Sequence, residues 1–190
     1  MMAAMGGHLT CLQWLVQRGK ADVNAKANDG GTALIFAASG GHLTCLQWLA
    51  ESGADIAAVD QEGRAALTAA AMGGHLTCLQ WLGDHGADVN AVAQGGRSAL
   101  IMAAMGGHLT CLQWLVQRGG ADVNAVAQGG GTALMVAAYR GHLTCLQWLA
   151  ENGADITAVT QDGLTALMYA AREGHVACKE YLASKGATCT

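Results

Sequence analysis

The chain has 190 residues, of which 52% are apolar and 13% are charged, with 27 glycines and no proline. This apolar fraction is enough to fill a core and excludes a disordered chain. The net charge of −4 gives no basic field for a phosphate backbone, so we predict no nucleic-acid binding. No run of about 18 apolar residues occurs either, and we predict no membrane insertion.

The number and spacing of the cysteines indicate the cellular compartment of the protein. There are seven of them, an odd number, and they lie at near-constant intervals, which does not suit a small fold held by disulfides. We interpret them as reduced thiols. The first residues, Met1 to Gly7, also lack the basic residue and apolar run of a secretory signal. Both features predict an intracellular, cytoplasmic location.

One segment is copied along the whole chain. The string Gly-His-Leu-Thr-Cys-Leu-Gln-Trp-Leu begins at Gly7, Gly41, Gly74, Gly107 and Gly141, and a diverged copy begins at Gly174. Successive copies are 33 or 34 residues apart, and a fixed period of this length is typical of repeat proteins. We therefore predict one domain over residues 1–190, made of units 1–26, 27–59, 60–92, 93–126, 127–159 and 160–190.

The second unit shows the local pattern. Its Ala-rich run 33–38 follows Thr32, a candidate N-cap, and predicts a short first helix that ends at Gly40-Gly41. From Leu43 onwards, apolar residues recur at helical spacing and predict a second, amphipathic helix that closes at Gly53. Each helix is shorter than an isolated helix needs to be in water, so stacking between units must stabilise both.

The two end units depart from this pattern. In the first unit the leading turn and the start of the first helix are missing. Its Met1, Met2, Met5, Leu9 and Leu12 are expected to expose apolar surface, and we predict end-to-end self-association there. The last unit carries polar residues in its second helix, such as Lys179 and Glu180, which predicts a solvent-facing cap.

Two strings carry a family resemblance: Gly163-x-Thr165-Ala166-Leu167-x-x-Ala170-Ala171-x-x-Gly174-His175 and Gly153-Ala154-Asp155-Ile156-x-Ala158. They resemble the ankyrin-repeat family, and the likeness recurs along essentially the whole chain at the family period. It implies an all-α solenoid of stacked helix-turn-helix units, here about six repeats with a truncated first one. The family's usual Thr-Pro-Leu-His string lacks both its Pro and its His here, which should soften the start of each first helix slightly.

The resemblance implies that partners contact the loop tips and the exposed end of the first helix. The tip residues are Asn28, Asp29, Gln61, Glu62, Arg64, Gln94, Arg97, Gln128, Gln161, Asp162 and Leu164. The helix-end residues are Ser39, Met72, Met105, Tyr139, Arg140, Arg172 and Glu173. These positions differ between copies while the framework does not. We select as candidate partner-binding residues Arg64, Met72, Arg97, Met105, Tyr139, Arg140 and Arg172.

Two recurring patterns have alternative interpretations. His-x-x-Cys occurs six times and could suggest zinc, but equivalent residues of stacked helices lie about 10 Å apart, too far to share an ion. We favour a histidine that bonds nearby backbone and a cysteine that packs in the core. The five tryptophans could form a ligand-stacking ladder, but we favour bulky fillers between helices.

The resemblance therefore implies a non-catalytic module that binds another protein on its concave face, with no cofactor and no metal. Six near-copies of His and Cys in the same context argue against a single activated nucleophile, so we predict no enzyme. The alternative is a designed or consensus-like repeat scaffold with no dedicated natural ligand.

Overall fold

The computed structural model describes residues 1–188 and shows paired helices repeated along the chain. The last two residues of the sixth predicted unit, Cys189 and Thr190, lie outside the described residues. The inner helices, the first of each pair, are α1 (Met2–Met5), α3 (Ala33–Ser39), α5 (Ala66–Gly73), α7 (Ala99–Gly106), α9 (Ala133–Arg140) and α11 (Ala166–Arg172). The outer helices, the second of each pair, are α2 (Leu9–Gln17), α4 (Leu43–Glu51), α6 (Leu76–Asp84), α8 (Leu109–Gln117), α10 (Leu143–Glu151) and α12 (Val176–Ser184).

The predicted helix starts are confirmed. The hydroxyl of Thr32 accepts a hydrogen bond from the backbone N–H of Ile35 at 3.4 Å, and Ser98, Thr132 and Thr165 cap their helices in the same way. In the third unit Ala65 stands at this position and offers no cap. The first helices therefore form although the chain has no proline at their starts, as expected from the sequence.

Between units the chain forms a short antiparallel hairpin. Between the third and fourth units this hairpin is two strands, β1 (Val92–Ala93) and β2 (Arg97–Ser98), while three other hairpins hold a single bridge, such as Lys26 with Thr32. These extended segments were not expected from the sequence. They arise because a tight turn between two helices at this spacing brings two extended residues side by side.

Successive hairpin tips are joined by backbone hydrogen bonds. The N–H of Gln94 donates to the carbonyl of Glu62 at 2.7 Å, and Gln128 donates to Gly95 at 2.7 Å. The same bond joins Gln61 to Asp29 and Gln161 to Gly129, each at 2.9 Å. The tips are thereby tied into a ladder that runs the length of the stack.

The core is a continuous stripe between the two helix rows. It is filled by alanines and leucines of the inner helices, such as Ala103 and Leu100, and by leucines and cysteines of the outer helices, such as Leu112 and Cys111. The small alanine side chains let neighbouring inner helices approach closely. Inner helices pack on one another much more tightly than outer helices do. The stack therefore curves, and the inner helices line its concave face.

A histidine connects each unit to the one before it. His42, at the start of α4, donates from Nε2 to the carbonyl of Met5 at 2.8 Å. The equivalent bonds link His75 to Ser39, His108 to Met72, His142 to Met105 and His175 to Tyr139, with lengths of 2.9 to 3.2 Å. The sequence predicted a bond to nearby backbone, but the acceptor lies 36 or 37 residues away.

Glycine is required beside each of these rings. Gly107 has φ +74°, and a Cβ atom added there would lie 2.6 Å from Nδ1 of His142. Gly174 has nearly the same backbone conformation, with φ +76°, but a Cβ atom there would meet nothing within 4 Å. Substitutions at Gly107 and Gly174 therefore separate the free-energy cost of the backbone conformation from the cost of displacing the imidazole.

We predict that Gly107→Ala lowers the free energy of unfolding by about 3 kcal/mol, because it adds left-handed strain and breaks a packed hydrogen bond. Gly174→Ala should cost only the strain, about 1 to 2 kcal/mol. Urea unfolding followed by circular dichroism measures both. Equal losses in the two variants would show that the histidine contact contributes nothing.

Candidate functional site: the concave face

On the concave face the units differ most at a mid-helix position, occupied by Phe36, Ala69, Met102, Val136 and Tyr169, and at the helix-end and hairpin positions selected from the sequence. Phe36, Val136 and Tyr169 are half-buried there, whereas Ala69 and Met102 are buried in the core. The mid-helix position was missed by the sequence reasoning. Its variation between otherwise similar copies was the signal that could have found it.

The predicted hairpin arginines are held in place by carboxylates. Asp60 is buried, and its Oδ2 accepts from Nε of Arg64 at 2.8 Å, while its Oδ1 accepts from the backbone N–H groups of Glu62 and Arg64. The hydrogen bond to Asp60 raises the pKa of the Arg64 guanidinium further. Arg64 is therefore a fixed side chain with part of its charge already compensated.

Arg97 is less tightly held. Its Nε donates to the carbonyl of Gln94 at 3.1 Å, and its Nη2 lies 3.9 Å from Oε2 of Glu62 in the preceding hairpin. Arg64 approaches the same carboxylate at 3.4 Å. The two arginines and Glu62 thus form a small charged surface that spans two units.

Several predicted tip residues have a structural role. The side-chain amide of Gln61 donates to the carbonyl of Asn28 at 2.9 Å, and that of Gln94 donates to Gln61 at 2.7 Å. These glutamines strengthen the tip ladder. They leave fewer free donors for a partner than the sequence suggested.

Met72 and Met105 lie at the ends of α5 and α7 and are half-buried. Their backbone carbonyls accept the bonds from His108 and His142. The side chains pack against the core and present only part of their apolar surface on the concave face.

Tyr139, Arg140 and Arg172 are the most exposed of the candidates. Tyr139 is 42% exposed, meets Tyr169 edge to face with ring centroids 6.0 Å apart, and has the guanidinium carbon of Arg140 at 5.6 Å from its ring centroid. Nε of Arg172 lies 3.9 Å from Oε1 of Glu173. The structure therefore brings an aromatic pair and Arg140 together at the fifth and sixth units, while Arg172 lies at the end of α11.

The histidines and cysteines show no metal-binding arrangement. In residues 1–188 no group of three or more His, Cys, Asp or Glu side chains is placed to hold a metal ion. Burial raises the pKa of the Cys111 thiol to about 11, against the opposing effect of a hydrogen bond with Thr110, and it also raises the pKa of Cys78 and Cys145. Protonated, buried thiols pack as small apolar groups.

Cys11 differs from its equivalents. It is exposed, whereas Cys45, Cys78, Cys111, Cys145 and Cys178 are buried. The expectation of a core cysteine is therefore wrong for the first unit. The reason is that this position of an outer helix is covered by the preceding unit, and the structure places none over α2.

Four of the five tryptophans fill gaps between outer helices, whereas the expectation of a filler is wrong for Trp14, which is 62% exposed. Trp48, Trp81, Trp114 and Trp148 are half-buried against the core. A Cβ atom added at Gly83 would collide with the indole of Trp114, so the ring of one unit lies over the outer helix of the unit before it. Trp81 also stacks on His85 with ring centroids 3.8 Å apart. These contacts favour tryptophans that pack between helices over tryptophans that form a stacking ladder for ligands.

The geometry defines a class: a curved solenoid of helical repeats whose framework is constant and whose inner surface varies. The chain belongs to the ankyrin-repeat family, because the family model for ankyrin repeats matches residues 1–93, 57–127 and 100–190. Ankyrin repeats are in general modules of protein–protein interaction and are typically not enzymes. A search of curated proteins finds no match to the chain. Within residues 1–188 no helix is long and apolar enough to span a membrane.

We predict that Cys11 reacts quickly with a chromogenic disulfide reagent at neutral pH, while the buried cysteines react only after unfolding, because burial blocks access and keeps the thiol protonated. The measurement uses a Cys189→Ser background, and Cys11→Ser should remove the fast phase. Fast reaction of more than one thiol in that background would contradict the burial of the cysteine column.

Proposed function

We propose that this chain binds another protein on its concave face and has no catalytic activity or cofactor of its own. One observation carries the proposal: the framework is nearly identical between units, while the hairpin and helix-end positions differ and are at least partly accessible. The candidate contact residues are Arg64, Met72, Arg97, Met105, Tyr139, Arg140 and Arg172. Residues 1–190, with the six predicted units, then act as one binding domain inside the cell.

Preorganisation is the physical mechanism. The tip ladder and the histidine bonds fix the backbone of every unit relative to the next. Arg64 is already held by Asp60, and Tyr139 packs against Tyr169. A partner therefore meets side chains that lose little conformational freedom on binding, and more of the contact energy contributes to affinity.

Charge reversal on the concave face tests the proposal. Arg97→Glu and Arg140→Glu should each weaken capture of a specific partner at least about tenfold, because interface arginines are frequent hot spots. The immobilised full chain is incubated with an extract of its source cells, and retained proteins are identified by mass spectrometry.

The control is Arg118→Glu, which makes the same charge change at the exposed end of outer helix α8. A partner retained by the original chain and by this control, but lost from the two concave variants, supports the proposal. Absence of any specific partner would favour the consensus-like scaffold with no dedicated ligand.

We also propose self-association of the first unit, through the outward side of α2. Of the residues expected from the sequence to be exposed, Met2 and Met5 are, whereas Leu12 is only 3% exposed because it packs in the core. Leu15 is 39% exposed and Trp14 is 62% exposed, whereas the leucines equivalent to Leu15 are fully buried in units two to five. These side chains, with Cys11, present an apolar surface of the kind that preceding units cover elsewhere in the stack. A second copy that places its own α2 surface there would bury both.

We expect the weight-average mass in sedimentation equilibrium to rise with concentration, and Leu15→Glu to abolish this rise by placing a charge in the apolar contact. The matched control is Gln17→Glu, which adds the same charge at an exposed position of the same helix. A strict monomer at all concentrations would contradict the self-association and leave the concave-face proposal untouched.

A further inference from the structure

A pocket opens on the concave face between the fifth and sixth units. It has a volume of about 250 Å³ and is lined by Gly131, Met135, Val136, Tyr139 and Tyr169. Apart from glycine backbone and the tyrosine hydroxyls, this lining is apolar. The edge-to-face tyrosine pair forms one of its walls.

The second unit shows what narrows the equivalent space, which has a volume of about 70 Å³ there. There Phe36 occupies the position of Val136, and its ring lies over Gly31, the counterpart of Gly131. A Cβ atom added at Gly31 would lie 2.9 Å from Cζ of Phe36, whereas one added at Gly131 would meet nothing within 4 Å. The pocket is therefore the place that a phenyl ring of the chain itself takes in another unit.

The size of the pocket limits its occupant. Sites for free small molecules usually span about 300 to 1,000 Å³ and surround most of the ligand. A pocket of about 250 Å³ that is open to the concave face suits one large side chain presented by a larger molecule. The tyrosine rings favour an aromatic side chain, because edge-to-face pairs add attraction beyond the burial of area.

The charge at the rim indicates the residues that flank the occupant. Arg140 is exposed, borders Tyr139, and makes no ion pair with any residue of the described part of the chain. An accessible cation beside an apolar pocket is complementary to an aromatic residue with a carboxylate next to it.

We propose that this pocket receives a phenylalanine-like side chain of a partner protein, with an adjacent Asp or Glu paired to Arg140. The inference rests on the proposed protein-binding function and specifies the chemistry of one anchor. The partner's ring lies in the pocket as the ring of Phe36 lies over Gly31 in the second unit. Arg140 fixes the direction of the partner segment through its charge.

The test uses the full chain and three capped peptides: acetyl-Asp-Phe-Asp-amide, acetyl-Asp-Ala-Asp-amide and acetyl-Lys-Phe-Lys-amide. Binding is followed by nuclear magnetic resonance, through the shifts of the tyrosine ring protons. We expect the first peptide to bind with a dissociation constant of about 1 mM, because one anchor supplies only a few kcal/mol. The alanine and lysine peptides should each bind at least about tenfold more weakly.

Val136→Phe places a ring of the chain itself in the pocket, as Phe36 does in the second unit. It should weaken binding of the Asp-Phe-Asp peptide at least about tenfold. Val136→Ile is the matched control, since it adds a single methylene and should change binding by less than about threefold. Tyr139→Ser replaces a tyrosine of the pocket wall by serine, the residue type that the second unit has at Ser39. It should also weaken binding of the Asp-Phe-Asp peptide, and this loss does not depend on filling the pocket.

Two results would overturn the inference: no shift of the tyrosine signals by the Asp-Phe-Asp peptide, or equal binding to the original chain and to Val136→Phe. Neither would affect the broader proposal, which depends on the loss of a captured protein in Arg97→Glu. Conversely, peptide binding that follows this pattern in a chain that captures no protein would support the pocket and contradict the dedicated partner.

Discussion

The hydrogen bond from the histidine at the start of each outer helix, from α4 onwards, to the preceding inner helix holds the stack together. Its geometry places the imidazole against a glycine of the earlier unit, where no side chain fits. Because the histidine and its acceptor carbonyl lie in different units, the hydrogen bond stabilises only a correctly stacked pair of units. The short helices of a single unit gain their stability from this contact and from the core stripe beside it.

This arrangement separates framework from surface. The histidine, the glycines, the inner-helix alanines and the outer-helix leucines are all used within the stack, and they are repeated almost without change. Some side chains of the inner surface also belong to the stack, as the buried Met102 and the tip glutamines do, whereas others, such as Phe36, Val136 and Tyr139, remain partly accessible. These accessible positions can therefore differ between units, as Phe36 and Val136 do, and the differences create local sites such as the tyrosine-lined pocket.

Burial of a given residue type depends on its neighbouring unit. Trp114 lies over Gly83 and is half-buried, whereas Trp14 is 62% exposed. Cys111 is buried, with its pKa raised, whereas Cys11 is exposed. The side chains are the same and the helices are nearly identical, so the difference lies entirely in what is placed against the outward side of α2.

The period, the paired helices, the hydroxyl cap of a first helix and the family could be predicted from the amino-acid sequence, because each depends on residues that are close in the chain or repeat at fixed spacing. The partner of each histidine, the use of the tip glutamines in a ladder, and the pocket became visible only in the folded stack. These features join residues about 33 to 37 positions apart, and local periodicity carries no information on such contacts. The pocket in particular is lined by Val136 of one unit and Tyr169 of the next, and these two side chains lie side by side only when the units are stacked.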